Sequence, residues 1–359
     1  MAVTLKDIAE RTGVSPSVVS TVLSGRDNGT FVSDNTRRKV LQVAEMLNYT
    51  PVRSGRPRGS QRLRRQRTEQ FIGIWDPEYS SASANAIQFL QAALRKHAAA
   101  SGAESEDDFG LRLLTSDDLP KLDAIGIMGL ILLSSTLLPR EAASATIPCV
   151  MIGEVDNPPR ELFMAHTNEF ASGREVGDYL WSLGHRRIAM IAPASSVRVS
   201  RQRLQGMQAV WIKRQGNPAD LLTVPFDITP EATLRIQVRK AIFTLAGPDV
   251  PIGRKPTAIV CYDEKVAAVA AQTLAEMGVR IPVDMSLVSF QDTPDISEFF
   301  TPPLTAFRSP IADLAVVAME QLYLMHDQET TVVGDNAEAA LAGQLIIRNS
   351  CAAPAGAQG

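Results

Sequence analysis

Cysteine, histidine and aromatic residues are all scarce in this chain of 359 residues, which holds three cysteines, four histidines and 6% Phe, Trp and Tyr. Cys149, Cys261 and Cys351 lie far apart, in no spacing that builds a disulfide framework or a zinc site. His97, His166, His185 and His326 are equally scattered, which points to structural roles and not to metal ligation. No run of about 18 apolar residues occurs, so no membrane span is expected. The N-terminal "MAVTLKDIAERTG" lacks the basic-then-apolar order of a secretory signal, and a cytoplasmic protein is expected. The common enzyme signatures are missing as well: no G-x-G-x-x-G follows a strand, and neither a phosphate-binding G-x-x-x-x-G-K-[ST] nor a G-x-S-x-G elbow is present. The acidic run "SGAESEDDFG" has loop composition and reads as solvated surface, not as an acid/base pair. Neither catalysis, a metal nor a cofactor is expected.

What is present is ordinary in bulk, with 45% apolar and 21% charged residues, and its length predicts two or three domains. The formal net charge of −3 conceals a division: residues 1–70 hold 13 Lys/Arg against 6 Asp/Glu, and the remainder 23 against 33. A basic head on an acidic body suggests that the head meets a polyanion and the body something else.

The first fifty residues carry three short helical patterns. Thr4 caps "LKDIAERT", whose Leu5, Ile8 and Ala9 form an apolar face. Gly13 and Val14 make a tight turn. Ser15 caps a second helix with Pro16 at its first position and Val18, Val19, Val22 and Leu23 facing inward. Ser33 starts a third helix, to about residue 48, with Val40, Leu41, Ala44 and Leu47 on its buried side. Two short helices across a glycine turn make a helix-turn-helix, which suits the major groove and also occurs in proteins that never touch DNA.

Beyond residue 70, apolar strands alternate with amphipathic helices. Strands are expected at 71–74, 111–114, 129–133, 149–153, 187–192, 258–261 and 286–290, with helices at 83–100, 171–183, 201–215, 230–246 and 264–277. The pattern predicts parallel sheets covered on both faces, and its extent predicts two of them. Ligands of such sheets bind beyond the carboxyl ends of strands. That places candidate ligand loops at 75–77, 134–135, 194–196, 262–263 and 291–292. The competing reading is that Asp and Ser there only cap the next helix.

The head segment "VTLKDIAERTGVSPSVVSTVLSG…VSDNTRRKVLQVAEMLNYTP" resembles that of the lactose-repressor and galactose-repressor (LacI/GalR) family of bacterial transcription regulators. "LGHRRIAMI", "RLQGM", "PTAIVCYDE", "MGVRIPVDMSLVSFQD" and "TPPLTAFRSP" extend the resemblance through the body. It implies a helix-turn-helix head followed by two periplasmic-binding-protein-like subdomains crossed by three strands. The expected layout is 1–52 for the head, 53–70 for a hinge, and 71–349 for an effector-binding and dimerisation core. Within that core the N-subdomain takes about 71–168 and 293–328 and the C-subdomain about 169–292 and 329–349, leaving 350–359 as a disordered tail. The resemblance puts Pro16, Ser17, Ser20 and Thr21 where the family reads bases, and Thr4, Ser15, Ser33 and Thr36 where it contacts phosphates. Thr21 replaces the arginine usual there, which implies loss of a bidentate guanine contact.

In the body the resemblance implies effector contacts for Arg203, Asp263 and Gln291, with Asn168 and, from the first strand's loop, Asp76 as further candidates. Asp263 stands for an amide, Gln291 for a carboxylate, and Ile228 for an aromatic that stacks on a pyranose. A polar ligand fits this set and a simple hexose is disfavoured. The implied protein is a homodimer on double-stranded operator DNA, repressing by default and modulated by a small polar effector such as a sugar. An orphan core without effector, an activator and, more remotely, a sugar-binding protein or enzyme are the alternatives.

The hinge "SGRPRGSQRLRRQR", at 54–67, is the main departure. The family implies a short helix that wedges a leucine into the minor groove, and here Arg58 takes that position. Pro57, Gly55 and Gly59 disfavour helix, the glycines by about 1 kcal/mol each. "GRPRG" is similar to the core of an AT-hook, with Arg56 and Arg58 following a narrow A·T minor groove. The other reading is a basic tether in which Arg53, Arg56 and Arg58 only approach phosphates.

Overall fold

The computed structural model describes residues 9, 11–15, 18–19, 22, 34–46, 70–77, 81–100, 109–133, 138–144, 146–159, 162–194, 197–227, 233–328 and 338–355. The chain divides into two units, Met1–Arg65 and Gln66–Gly359.

In the first unit, Ala9, Val19, Val22, Val40 and Ala44 are buried together in a small core. Gly13 has a φ of 75°, a left-handed conformation that costs glycine little. Its N–H and that of Val14 both donate to the Ala9 carbonyl, at 2.9 and 3.2 Å. Helix α1 (Asp34–Met46) turns Val40 and Ala44, one turn apart, into that core. Leu41, expected on the same side, is 48% exposed, because the next residue along a helix lies about 100° round the axis.

The second unit runs β1 (Gln70–Trp75), α2 (Ser81–Ala100), β2 (Phe109–Leu114), β3 (Ile127–Leu133), β4 (Cys149–Ile152), β5 (Leu162–Thr167), α3 (Glu169–Ser182) and β6 (Ile188–Pro193). It continues with α4 (Val197–Lys213), β7 (Leu221–Phe226), α5 (Leu234–Ala246), β8 (Ala258–Cys261), α6 (Glu264–Glu276), β9 (Ser286–Ser289), β10 (Thr305–Arg308), α7 (Ile311–Asp327), β11 (Glu338–Leu341) and β12 (Gln344–Ile346). Short helical turns are left unnumbered. The strands form two six-stranded sheets, in the orders β11-β5-β4-β3-β1-β2 and β12-β10-β9-β8-β6-β7. Every pairing is parallel except β10 with β12. Strands β3, β4, β5, β6, β8 and β9 are buried at every position, as strands covered by helices on both faces must be.

The chain passes between the sheets three times, after β5, β10 and β11. These passages are tied together: the Asn168 N–H donates to the Leu341 carbonyl at 2.7 Å, and the hydroxyls of Thr167 and Ser309 are hydrogen-bonded. The expected subdomain limits at 293 and 329 need correction. Strand β10 pairs with β9 and so belongs to the second sheet, while β11 pairs with β5 in the first. Residues 350–352, expected to lie in a disordered tail, are instead bonded to the second sheet. Ser350 is 1% exposed, and its hydroxyl donates to the Leu287 carbonyl at 2.6 Å and accepts from the Thr305 N–H at 2.8 Å. Ala352 exchanges hydrogen bonds of 3.1 Å with the Ser286 hydroxyl. Small side chains let this segment lie against the sheet with its backbone groups satisfied.

Helices α3 and α4 meet backbone to backbone. A Cβ on Gly173 would lie 2.0 Å from the Arg203 carbonyl oxygen, and one on Gly206 would lie 2.2 Å from that of Phe170. Only glycines permit this approach, which brings the start of α3 against the middle of α4.

Candidate functional site

The nucleic-acid face expected in the head is only partly described. Ser15 is exposed, and its hydroxyl accepts from the Val18 N–H at 3.4 Å, as a helix cap does. Thr36 lies in the first turn of α1, half-buried, followed by exposed Arg37, Arg38 and Lys39. Sequence reasoning passed over this basic triplet, although three cations in a row beside a phosphate-binding candidate are themselves a signal. Thr4, Pro16, Ser17, Ser20, Thr21, Ser33, Arg53, Arg56 and Arg58 lie outside the described residues, as do residues 134–135 and 195–196 and Ile228.

Between the two sheets of the second unit is a cavity of about 600 Å³. The first sheet supplies Ile152, Glu154, His166 and Thr167 at its strand ends, with Asn85 and Phe89 from α2. The second supplies Arg203 from α4, Tyr262 and Asp263 after β8, Phe290 to Thr293 after β9, and Arg308 at the end of β10. Of the five effector candidates, Arg203, Asp263 and Gln291 line this cavity; Asp76 and Asn168 are not among its lining residues. Asp76 is buried at 5% exposure. The Asn168 side chain accepts from the Ala171 N–H at 3.0 Å and caps α3.

The polar groups of the wall are largely committed. Arg203, 8% exposed, donates through Nε and Nη2 to both oxygens of Glu169 at 2.7 and 2.9 Å and through Nη1 to the Tyr262 carbonyl at 3.3 Å. Its guanidinium lies 5.1 Å from the Tyr262 ring centre and 4.6 Å from that of Phe290. Burial opposes its charge, and the Glu169 carboxylate more than offsets that, holding its pKa above the ordinary arginine value. The close crossing of α3 and α4 makes the pair, because Glu169 begins one helix and faces the middle of the other. Asp263 caps α6 by accepting from the Val266 N–H at 2.8 Å, and burial raises its pKa against that bond. Asp292 is held by Arg308 Nε and Arg348 Nη1, each at 2.8 Å.

Glu154 differs from these. It is 2% exposed, and neither carboxylate oxygen has an aligned hydrogen-bond donor among the described residues. Arg198 Nε approaches Oε2 to 2.8 Å as an ion contact off the N–H axis. His166 Nδ1, 3.4 Å from the same oxygen, instead donates to the Thr167 carbonyl at 2.9 Å. Burial pushes the Glu154 pKa up, with His166 and Arg198 pulling the other way. Arg198 also bonds Glu338 at 2.8 Å, and Arg201 bonds Asp156 at 3.1 Å, so α4 grips the first sheet through two arginines. Sequence reasoning missed Glu154, His166 and Glu169 as wall residues. Their one signal is that polar residues interrupt or end apolar strands, which reads equally well as ordinary capping.

Among the described residues, no group of His, Cys, Asp and Glu is arranged to hold a metal ion, and no described helix is long and apolar enough to cross a membrane.

Residues 4–52 match the family of bacterial regulatory proteins of the lacI family, and residues 177–351 match a periplasmic binding protein-like domain. The chain is 28% identical over 375 residues to the HTH-type transcriptional regulator MalR of Streptomyces coelicolor, an alignment covering 100% of this chain and 99% of that protein. Among solved structures it resembles a complex of the transcriptional regulator CelR with cellobiose, with a TM-score of 0.63 and 22% identity over 97% of this chain and 99% of that one. It also resembles the lac repressor dimer bound to operator and the anti-inducer ONPF, with a TM-score of 0.58 and 23% identity over 98% and 100% of the two chains. At these identities the structural likenesses bear on the fold alone.

Proposed function

A chain that joins a lacI-family head to a periplasmic-binding-protein-like body belongs to the LacI family of bacterial transcription regulators, and on that premise we propose that it binds an operator as a homodimer under the control of a small polar effector. The regulators it resembles are not enzymes. The observation that carries the effector reading is the cavity of about 600 Å³ walled by both sheets. That volume is in the range of small-molecule sites, roughly 300–1,000 Å³. A ligand touching both walls favours one relative setting of the subdomains. It thereby shifts the population competent to hold DNA, to the extent that it binds the two settings with different affinity.

In the head, Ser15 and Thr36 serve as phosphate contacts, with Thr4 and Ser33 alike, while Pro16, Ser17, Ser20 and Thr21 read base edges. Arg53, Arg56 and Arg58 carry the basic hinge to the DNA between half-sites. The default action is repression.

A second reading rests on a specific observation. Arg203 spends its guanidinium on Glu169 and Asp263 spends an oxygen on its own helix, as they would in an orphan core that binds nothing. One experiment separates the two. Fluorescence anisotropy on operator DNA is followed while sugars, polyols, nucleosides, amines and organic acids are added, with thermal shift in parallel. An effector both shifts the melting transition and changes DNA affinity, and a wholly flat response selects the orphan core.

A further inference from the structure

The surroundings of Glu154 leave a negative charge without a counter-charge of its own at one end of the cavity. Of the wall carboxylates, Glu169 takes two hydrogen bonds from Arg203, and Asp292 has two arginines. Glu154 and Glu338 share Arg198, which lies 2.8 Å from each. Glu338 is 46% exposed and is solvated, whereas the Glu154 side chain is 2% exposed and faces the cavity. His166 meets both carboxylates, but at 3.4 and 3.5 Å, with Nδ1 committed to a backbone carbonyl. A buried carboxylate whose two oxygens both lack aligned donors is costly unless something supplies them.

We propose that Glu154 is the receptor for a cationic nitrogen, and that the effector is a small hydroxylated compound carrying an ammonium group. This assignment rests on the cavity being an effector site and specifies its ligand. An ammonium brings three donors together with the missing charge. A hydroxyl brings one donor and leaves the charge in place, and a carboxylate or phosphate adds repulsion. Charge-assisted hydrogen bonds are roughly twice as strong as neutral ones, and a desolvated site enlarges the difference. Asp263, which caps α6 on the facing wall of the cavity, adds a further acidic group.

The test uses the full-length chain and matched probes: glucosamine, glucose and glucuronate, and the smaller set 2-aminoethanol, ethylene glycol and glycolate. In each set the amine is expected to shift the melting transition at concentrations about ten to a hundred times lower than the neutral member, the carboxylate giving no shift. Glu154→Gln, which keeps the shape and removes the charge, is expected to abolish the amine's advantage. Without any probe it is also expected to raise the melting temperature, since the substitution removes a buried charge that the shared Arg198 compensates only in part. A fall in the melting temperature of Glu154→Gln overturns the assignment, because it would show that the contact with Arg198 already satisfies the carboxylate in full. Neutral or acidic probes that match the amines overturn it while leaving the cavity an effector site if they also alter operator binding. No response to any amine, with other compounds still releasing DNA, overturns it in the same way. Silence towards every compound removes the effector reading itself.

Discussion

Replacing Gly173 with alanine tests the most demanding approach in the body. Two effects oppose each other. Alanine in a helix interior is favoured over glycine by about 1 kcal/mol, so with no steric neighbour the variant would be more stable. Its Cβ, however, would lie 2.0 Å from the Arg203 carbonyl oxygen and 2.7 Å from the carbonyl carbon, while unstrained contacts begin near about 3.5 Å. Helices α3 and α4 must therefore part by about 1.5 Å. Overpacking of this kind costs about 1–3 kcal/mol, and the upper part of that range applies because both sides are backbone. A net loss of about 2 kcal/mol follows, together with loss of the Glu169–Arg203 pair, since Glu169 stands one turn before Gly173 on the same helix. Urea unfolding followed by tryptophan fluorescence is a fitting assay, because Trp181 and Trp211 report from these two helices and meet edge to face at 5.1 Å. Gly253→Ala, whose Cβ would meet nothing within 4 Å, is the control and should be near neutral. A Gly173→Ala protein as stable as the parent, or more stable by the propensity gain, would refute the close-approach account.

The grip of α4 on the first sheet should appear in a double-mutant cycle. Arg198→Ala removes the arginine from Glu154, which is expected to cost about 1–3 kcal/mol after allowance for Arg198 being 19% exposed. Adding Glu154→Gln should recover much of that loss, whereas strictly additive effects would show the two side chains to be independent. His185 is buried neutral, its pKa lowered to about 4 by burial, with Nδ1 held 2.8 Å from the Thr257 hydroxyl. Its folded pKa lies below the unfolded value of about 6.5, so the unfolded chain takes up the proton first as pH falls. The resulting stability is complete above about pH 6.5 and declines towards pH 4, by about 3 kcal/mol in all. His185→Gln should flatten that part of a stability-against-pH curve, and an unchanged slope would remove His185 from the account. For the hinge, Arg56→Ala with Arg58→Ala should lower the salt dependence of operator binding by up to about 0.9 in slope for each phosphate no longer neutralised. A weakening concentrated on sites with A·T-rich centres supports minor-groove insertion, and an equal weakening on G·C-rich centres supports a plain electrostatic tether.

The helix-turn-helix was legible because its signals are local: a serine before a proline, a glycine at the turn, valines at helical spacing. The interior strands were legible because burial on both faces demands unbroken apolar runs. Strands β5, β7, β10, β11 and β12 were not read from the sequence, for two physical reasons. Strands β7, β11 and β12 are sheet edges, where solvent on one side relaxes the pattern; β11 alternates exposed and half-buried positions along Glu338–Leu341. Strands β5 and β10 end in His166–Thr167 and Arg308, which turn to the cavity, so the residues that make the site are those that break the strand signature. Arg203, Asp263 and Gln291 came from motif resemblance. The partner of Arg203 could not, because Glu169 is 34 positions away and only the glycine-mediated crossing of α3 and α4 brings the two together.

The third passage between the sheets also bears on how the protein is made. Each sheet receives an edge strand from residues 338–346, β11 for the first and β12 for the second. A chain still on the ribosome therefore carries two unfinished sheets until those residues have been added, while the segments that build the core of the head, from Ala9 to Ala44, were synthesised long before. A nonsense codon or frameshift between residues 309 and 337 leaves β5 and β10 both with open edges, the condition that invites pairing with other chains. Truncated products of this gene should thus be cleared or aggregate, and should not persist as half-sensors attached to a working DNA reader.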